Sequence, residues 1–539
     1  MDDKLLTVPL RKIESLPGFV VHWLLCGPFN ADGKLTSCRA MKKDYLAGAG
    51  GEARVRPRQG LRVGRTGPAW EADATRHGCI VNLSRRYSTH GIVSYAAAYL
   101  KAPVACDAKI LLGSDDGFIL YLNGHRIAVR DVHRGLGVDT DIFEVKLKRG
   151  INAVLLKVEQ FYGAYEFCLR VTDRTGRAIP RLRACVDHPR VRRPVDPKRS
   201  RTISGYDYLS SKFATAPLRL AFRAHSATDY RAWRMRFLKK FRQLLGPLPT
   251  CGPLHPEVTE EVTINGFLRQ RVLLDLEPGF AFPCYVTMPQ RVPKGKRLAA
   301  VLCLHGHGAG KHNMVGSPSA THPDGDIHDD YAIALHAAAA GHVTISPDFL
   351  AFGERQGTKG VYGRNQDPCL AQFAWAQMSG VLPTAVNIAT VKRCIDYLQT
   401  LPAVDDRRIA AIGHSFGGYM TTVATAVERR IKVAVVSGFM MTAAAYHGRI
   451  WTCGSQVIPG LLNVGDLADI GCTFAPRPTL IITGKYDSVT PFPFAEAAGQ
   501  KIKNAYTVAG IPDRFEQHVF SGDHRFQPDA ASAWLDKWL

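Results

Sequence analysis

The residues best suited to chemistry centre on Ser415, within the run Gly413-His414-Ser415-Phe416-Gly417. This run fits G-x-S-x-G, the pattern of a nucleophilic serine presented at a sharp turn from a strand into a helix. Glycine suits both ends because larger side chains would clash around such a strained backbone. A glycine-rich turn with an incidental serine gives the same pattern, so the flanking residues decide between the two interpretations.

Both flanks favour the nucleophile. Residues 409–412 form a short apolar run that predicts a buried strand, and residues 419–427 are compatible with a helix. The first turn of that helix would direct backbone N–H groups toward negative charge that develops on a substrate.

A serine nucleophile needs a base, and a third group must orient that base. In a fold with this elbow, the acid and the histidine follow the serine in the order Ser, Asp, His. Asp487 follows the apolar run 479–483, and His524 follows a predicted strand at 518–520. Asp523 is a competing acid, but it adjoins His524 in the chain and can hardly reach the far ring nitrogen. We therefore predict the triad Ser415, Asp487 and His524.

An oxyanion hole is expected in the loop after an early strand. The predicted strand 298–304 is followed by His305-Gly306-His307-Gly308-Ala309-Gly310, which has the form of an H-G-G-G loop. We predict the backbone N–H groups of His307 and Phe416 as the two donors. A phosphate loop is the alternative, but its pattern needs one more residue and a Ser or Thr where His312 stands.

Metal binding is a further alternative for this region, since five histidines crowd together. Their spacings match no standard ligand set, so no metal and no cofactor are predicted. The five are His305, His307, His312, His322 and His328.

The elements that must position these groups alternate between strand and helix from residue 298 onward. Strands near 298–304, 343–346, 409–412, 433–437, 479–483 and 518–520 predict a mainly parallel, doubly wound sheet. A helix at 227–245 and a hairpin from strands 258–263 and 269–276 precede it. The stretch 439–464, which includes Tyr446, His447, Trp451 and Cys453, either lines a substrate pocket or simply packs.

The first part of the chain predicts a different fold. Short strands at regular spacing across residues 1–175 indicate a β-sandwich, with Asn123-Gly124 as a two-residue hairpin turn. Residues 176–203 are rich in Arg and Pro and are predicted as a linker, which leaves 204–539 as the catalytic domain. Asp115 and Asp116 either bind calcium or a sugar, or form a charged turn.

Composition limits the remaining classes. The 539 residues are too many for one compact domain, and the 13 scattered cysteines favour reduced thiols over a disulfide framework. The net charge of +22 lacks any nucleic-acid-binding signature, so we expect a widely spread surface charge and no nucleic-acid partner. No signal peptide or membrane-length apolar run is visible, which predicts a cytoplasmic protein, or a secreted one if a signal has been removed. The oligomeric state is left open.

The second half resembles the α/β-hydrolase superfamily, in the bacterial branch near acetyl xylan esterases, dienelactone hydrolases and prolyl-oligopeptidase-like hydrolases. It has a serine where dienelactone hydrolases carry cysteine, and it lacks the oxyanion-loop tyrosine of cephalosporin-deacetylase-type acetyl xylan esterases. Residues 113–124 also resemble jelly-roll modules attached to bacterial glycosidases and esterases. Besides the elbow, the hydrolase resemblance is carried by Leu302-Cys303-Leu304-His305-Gly306-His307-Gly308, Pro347-Asp348, Phe352-Gly353-Glu354-Arg355, Val404-Asp405, Ala475-Pro476-Arg477-Pro478 and Gly522-Asp523-His524.

The resemblance and the triad together predict a serine esterase that acts on carboxylic esters with small acyl groups, as small molecules or on saccharides. One alternative is a serine peptidase of the prolyl-oligopeptidase-like class, although residues 1–175 are too few for a full β-propeller. Another is a non-catalytic binding protein on a hydrolase fold, which is hard to reconcile with a complete triad.

Overall fold

The computed structural model describes residues 6–13, 16–30, 37–74, 79–84, 86–87, 90–161, 164–186, 205–264, 266–292, 295–317, 332–357, 368–446 and 453–539. By its internal contacts the chain divides into two compact units. The first unit contains Met1–Thr215, Ala444–Gly448 and Tyr486–Pro493. The second contains Ala216–Ala443, Arg449–Lys485 and Phe494–Leu539.

The first unit is built almost entirely from β-strands. Its elements are β1 Leu6–Pro9, β2 Arg11–Ile13, β3 Leu16–Phe19, β4 His22–Phe29, α1 Ser37–Lys42, β5 Glu71–Ala74, β6 Val81–Asn82, β7 Ile92–Ala102, β8 Cys106–Ser114, β9 Phe118–Leu122, β10 His125–Arg130, β11 Asp141–Leu147, β12 Gly150–Gln160, β13 Glu166–Thr172, β14 Arg183–Val186 and α2 Gly205–Ala214.

These strands form two antiparallel sheets that share one core. The larger sheet runs β1-β14-β7-β12-β9-β10 with β4 and β5 attached at β7, and the smaller runs β11-β8-β13-β3-β2 with β6 attached at β13. Apolar residues that alternate along β9 and β12, such as Leu120 and Leu156, pack in the same cluster as Ile110 and Leu169 of the smaller sheet. The predicted β-sandwich is therefore confirmed.

Two local predictions in this unit can be compared with the structure. Asn123 and Gly124 have φ angles of +53° and +85°, which is the left-handed pair that a tight turn between β9 and β10 requires.

Residues 183–186 fall within the segment predicted as linker, yet they form β14 and pair with β7. Local composition gave no sign of this strand, because its pairing partner lies about eighty residues earlier in the chain. Residues 187–203 of that segment lie outside the described residues.

The contacts of Asp116 support the interpretation of Asp115 and Asp116 as a charged turn. It has a φ of +60°, and its carboxylate accepts the backbone N–H groups of Arg134 at 3.3 Å and Phe161 at 2.6 Å. Burial, reinforced by the charges of Asp116 and Glu166, raises the pKa of Asp115 to about 8. These contacts are those of a structural turn that joins β8 to β9.

The second unit contains one large mixed sheet with helices around it. Its elements are α3 Ala227–Leu245, β15 Glu257–Ile264, β16 Phe267–Glu277, β17 Phe280–Pro289, β18 Leu298–Leu304, α4 Lys311–Met314, α5 Ile333–Ala339, β19 Val343–Pro347, α6 Pro368–Met378, α7 Pro383–Leu398, β20 Val404–His414, α8 Phe416–Val427, β21 Val433–Ser437, α9 Leu467–Cys472, β22 Thr479–Gly484, α10 Phe492–Val508, β23 Phe515–Phe520 and α11 Pro528–Trp538.

The strand order is β15-β16-β17-β19-β18-β20-β21-β22-β23. The pairs from β15 to β19 are antiparallel, and every pair from β19 to β23 is parallel. The predicted hairpin and mainly parallel doubly wound sheet are confirmed. Because ligands bind at the carboxyl ends of such strands, the loops after β18, β20 and β23 decide the chemistry.

The helix predicted at 227–245 is present as α3 with the same bounds. Its aromatic residues face inward, and Trp233 donates its indole N–H to the backbone oxygen of Leu220 at 2.8 Å. Among the described residues, no helix has both the length and the apolar character needed to cross a bilayer. The twelve described cysteines form no disulfide.

Candidate active site

Ser415 lies at a strained turn between β20 and α8. Its φ and ψ are +58° and −120°, a conformation that side chains other than glycine rarely adopt. Its backbone N–H donates to the oxygen of Ser437 at the end of β21, at 2.9 Å, and this bond ties the turn to the sheet. The half-buried serine therefore projects at the carboxyl end of the parallel strands.

The two glycines of the motif are required by close backbone approaches. A Cβ atom at Gly413 would lie 2.1 Å from the oxygen of Gly417, and one at Gly417 would lie 1.9 Å from the oxygen of Leu304. Real Cβ atoms do not come that close, so any side chain would force β18, β20 and α8 apart. The interpretation of this run as a nucleophile elbow agrees with its backbone geometry.

His524 reaches the same edge of the sheet from the loop after β23. Its ring lies 4.5 Å from the ring of His414, measured between centroids, and His414 in turn bonds through Nδ1 to Ser437 Oγ at 2.9 Å. Gly438 makes room for both rings, since a Cβ there would lie 2.6 Å from Cε1 of His414 and 3.0 Å from Cε1 of His524. The fold thus brings the predicted base beside His414, the residue that precedes the serine.

Asp487 lies in the loop after β22, within the first compact unit. It is 1% exposed, and its Oδ1 accepts the backbone N–H groups of Val489 at 2.7 Å and Thr490 at 2.8 Å. The Thr490 hydroxyl donates to Oδ2 at 2.5 Å. Such bonds hold a carboxylate in one orientation, as the acid of a triad requires.

Asp523, the competing acid, is in a different environment. Its side chain is 59% exposed and forms an ion pair with Arg525 at 2.8 Å. An exposed carboxylate engaged by an exposed arginine is a poor anchor for an imidazole, because both side chains remain mobile in solvent.

The predicted oxyanion loop, residues 305–310, passes directly beside the serine. A Cβ at Gly306 would lie 3.6 Å from Cβ of Ser415 and 3.5 Å from the oxygen of His414. His307 follows with an exposed side chain whose ring contacts that of Phe352. Phe416 is the first residue of α8, where backbone N–H groups have no partner within the helix. This arrangement is compatible with the two predicted donors.

His305 supports the oxyanion loop from below as a neutral imidazole. Its Nε2 accepts the backbone N–H of Phe349 at 3.0 Å, and its Nδ1 bonds to the oxygen of Gly306 at 2.7 Å. The ring is completely buried, and burial lowers its pKa to about 4. His305 therefore joins the loops after β18 and β19 without carrying charge.

A buried ion pair holds the other end of this loop. Lys311 Nζ lies 2.9 Å from Asp348 Oδ2 and also bonds to Glu354, while the Lys311 backbone N–H donates to Asp348 Oδ1 at 2.6 Å. Burial alone would lower the pKa of Lys311, but the Asp348 and Glu354 carboxylates raise it. Burial likewise opposes charge on Glu354, yet hydrogen bonds from Arg271 and Lys311 hold its pKa at about 2.

From the sequence, His414, Lys311 and Asp348 received no role and His305 was considered only as a metal ligand, although each lies within or beside a motif quoted above. Three of the five histidines in the histidine-rich region, His305, His307 and His312, are among the described residues. His305 bonds to backbone, and His312 lies 3.4 Å from the Tyr285 hydroxyl. His322, His328, His447 and Trp451 lie outside the described residues.

The chain is similar to known proteins. The profile of the Abhydrolase family matches residues 193–537. YtaP of Bacillus subtilis (strain 168), whose name assigns it provisionally to the hydrolases, is 25% identical over 315 residues. That alignment covers 56% of this chain and 98% of YtaP.

The chain is also similar to proteins of solved structure. A Bacteroides fragilis protein provisionally described as an acetyl xylan esterase has a TM-score of 0.55 at 18% identity, and the match covers 64% of this chain and 97% of that one. A glucuronoyl esterase from Solibacter usitatus has a TM-score of 0.43 at 14% identity, covering 59% of this chain and 97% of that one.

The role of His305 gives a prediction on stability and pH. In His305→Ala, the buried N–H of Phe349 loses its acceptor, which should cost about 1–3 kcal/mol at pH 7. The folded pKa lies below the unfolded value of 6.5, so the unfolded chain binds the extra proton. Wild-type stability should therefore fall from this source between pH 6.5 and 4, and the variant should lack that decline.

Urea unfolding of both proteins from pH 7 to pH 4 measures the difference. Parallel stability curves for wild type and variant would show that His305 is not held neutral by the fold.

Proposed function

Because the chain belongs to the Abhydrolase family, we propose that it is a carboxylic ester hydrolase that works through an acyl-enzyme intermediate on Ser415. The observation that carries the proposal is the strained turn of Ser415, at φ +58°, beside the oxyanion loop. A strained serine at the carboxyl edge of a parallel sheet is costly for the fold, and such strain is found at functional sites.

In the proposed mechanism, Ser415 Oγ attacks the ester carbonyl carbon while its proton passes to His524. The backbone N–H groups of His307 and Phe416 stabilise the oxyanion of the tetrahedral intermediate, each contributing about 3 kcal/mol. His524 then protonates the departing alkoxide. Water, deprotonated by the same histidine, finally releases the acyl group from Ser415.

Asp487 is proposed as the acid that orients His524. β22 and β23 are adjacent and parallel, with Gly484 paired to Phe520, so the loops that carry Asp487 and His524 leave neighbouring strand ends. The burial of Asp487 and its three hydrogen bonds support this choice over the exposed Asp523.

The substrate is proposed to be an ester of a small acyl group on a saccharide. A cavity of about 570 Å³ in the second unit is lined by Phe280 and the 57%-exposed Trp375, and also by Arg271 and Glu354. Aromatic faces and fixed charged groups suit the apolar faces and hydroxyls of a sugar. Glu354 also bonds to Lys311, so the cavity adjoins the support of the oxyanion loop. The acetyl xylan esterase description of the Bacteroides fragilis protein points the same way.

The nucleophile is tested by Ser415→Ala. We expect kcat for p-nitrophenyl acetate to fall by a factor of roughly 1,000 or more, because the variant lacks the hydroxyl on which the acyl-enzyme is proposed to form. Thr421→Ala, a hydroxyl deletion farther along α8, is the matched control and should retain turnover. A serine-directed phosphonate should label wild type once and leave the variant unlabelled; retention of a tenth of the rate would assign the nucleophile elsewhere.

The acid is tested by comparing Asp487→Asn with Asp523→Asn. The first should lower kcat by roughly 1,000-fold or more, because the imidazole would lose its tautomer and its stabilising charge. The second should change kcat less than threefold, since Asp523 is exposed and paired with Arg525. The reverse ranking in steady-state kinetics would make Asp523 the acid.

The substrate class is tested with acetylated xylan, p-nitrophenyl acetate and aminoacyl-naphthylamides. We expect the two esters to be hydrolysed and the amides to resist. Trp375→Ala should lower the ratio of kcat/KM for xylan to that for p-nitrophenyl acetate by roughly tenfold, equivalent to about 1.4 kcal/mol. Met378→Ala, at a 91%-exposed position of the same helix, is the control. Amide cleavage at comparable rates would indicate a peptidase, and no turnover at all would indicate a binding protein.

A further inference from the structure

Three side chains of types that can bind a metal meet at the oxyanion loop. Nε2 of His307 lies 3.7 Å from Sγ of Cys369, and that sulfur lies 3.1 Å from Sγ of Cys453. All three donor atoms lie within 4.8 Å of one another. Among the described residues, no other group of three His, Cys, Asp or Glu side chains meets this spacing.

The three residues come from separate parts of the second unit. His307 follows β18, Cys369 is the second residue of α6, and Cys453 precedes a short helical turn at Gly454–Gln456. Gly454 presses on α6 so closely that a Cβ there would lie 2.6 Å from Cβ of Phe373 and 2.7 Å from the oxygen of Cys369. Backbone packing therefore holds the two sulfurs together, independently of any bond between them.

We propose that His307, Cys369 and Cys453 bind a Zn²⁺ ion, with water as the fourth ligand. Thiolate and imidazole are the donors that Zn²⁺ takes in proteins, and two cysteines with one histidine leave an open tetrahedral position. Cys369 and Cys453 are each 1% exposed, whereas His307 is exposed, so the ion enters from the imidazole side. Each bound thiol releases its proton to solvent as the metal bond forms.

The distances permit this coordination with a small adjustment. Zn–S bonds of 2.3 Å and a Zn–N bond near 2.0 Å in a tetrahedron separate sulfur from nitrogen by about 3.6 Å and sulfur from sulfur by about 3.8 Å. The first spacing matches the 3.7 Å between His307 and Cys369. The second requires the 3.1 Å sulfur separation to widen by about 0.7 Å.

A disulfide between Cys369 and Cys453 is the competing chemistry. It would shorten the sulfur separation to about 2.0 Å and would consume an oxidant such as peroxide, which takes up the two electrons. It gives no role to His307, whose Nε2 points at Cys369. The position of that nitrogen favours the metal.

The site would connect the oxyanion loop to α6. Because His307 also supplies a proposed oxyanion donor, Zn²⁺ at its ring should restrain the loop and lower ester turnover. This consequence rests on the proposed function, whereas binding of the ion does not. Zn²⁺ would then be a reversible inhibitor and not a catalytic cofactor.

The test uses the full-length protein, reduced and stripped of metal, with Co²⁺ as a spectroscopic probe and Zn²⁺ as its competitor. We expect one Co²⁺ per chain, a thiolate-to-cobalt charge-transfer band, and loss of the band when one equivalent of Zn²⁺ is added. Cys369→Ser and Cys453→Ser should each weaken binding by roughly 100-fold or more. Cys394→Ser, at a fully buried thiol elsewhere in the unit, and Cys251→Ser, at an exposed thiol, should bind like wild type.

His307→Gln provides a variant at an exposed position that should fold whatever the cysteine variants do. It should weaken Co²⁺ binding by at least about tenfold. Unchanged affinity in this variant, or absence of the cobalt band in reduced wild type, would overturn the proposal. A different result is that wild type loses two mass units in oxidised glutathione and takes up no metal after reduction. That result would assign a disulfide between Cys369 and Cys453.

Ester turnover measures the proposed effect of the ion on the loop, separately from binding. Zn²⁺ should lower the rate of wild type but not that of Cys453→Ser, and a chelator should restore it. Binding without inhibition would overturn the effect on the loop. Absence of turnover in every protein, with the cobalt band present, would count against the esterase and leave the metal site supported.

Discussion

The main-chain packing around Ser415 is the constraint on which the second unit depends. Three segments meet there, the ends of β18 and β20 and the start of α8, at distances that exclude any Cβ at Gly413 or Gly417. The strain at Ser415 persists because the sheet pairing and the Ser437 hydrogen bond fix the turn from both sides. The oxyanion loop, the His414 ring and His524 are all arranged around that fixed point.

Buried polar groups hold the loops that packing alone would leave loose. Lys311 is completely buried, and its charge is tolerated because Asp348 and Glu354 face it. Removing one partner from such a pair would leave an uncompensated buried charge, which is far costlier than the pair is stabilising. Neutral His305 fixes the other end by joining Phe349 to Gly306. Together they hold residues 305–310 in one geometry.

Residue periodicity and motif spacing were enough to predict much of this molecule. The spacing of apolar residues predicted the sandwich and the parallel sheet. A buried strand leaves a pattern of apolar residues that can be recognised from the strand's own sequence. The Asn123-Gly124 turn could be predicted because it meets a local backbone requirement, and the glycines around Ser415 because they complete a known motif. The order of Ser415, Asp487 and His524 predicted a triad, and the fold brings Ser415 and His524 to one sheet edge.

What the sequence could not decide depends on contacts between distant segments. β14 forms because β7 offers it an edge, and no property of residues 183–186 by themselves predicts that pairing. The partners of Lys311 lie 37 and 43 residues away, and Cys369 meets Cys453 across 84 residues. The sequence by itself determined the fold class, the elbow and the candidate triad, because these follow from local backbone and burial rules. Only the tertiary structure decided which histidine stays neutral, which acid is buried and which sulfurs meet, because those depend on what the folded chain places beside each group.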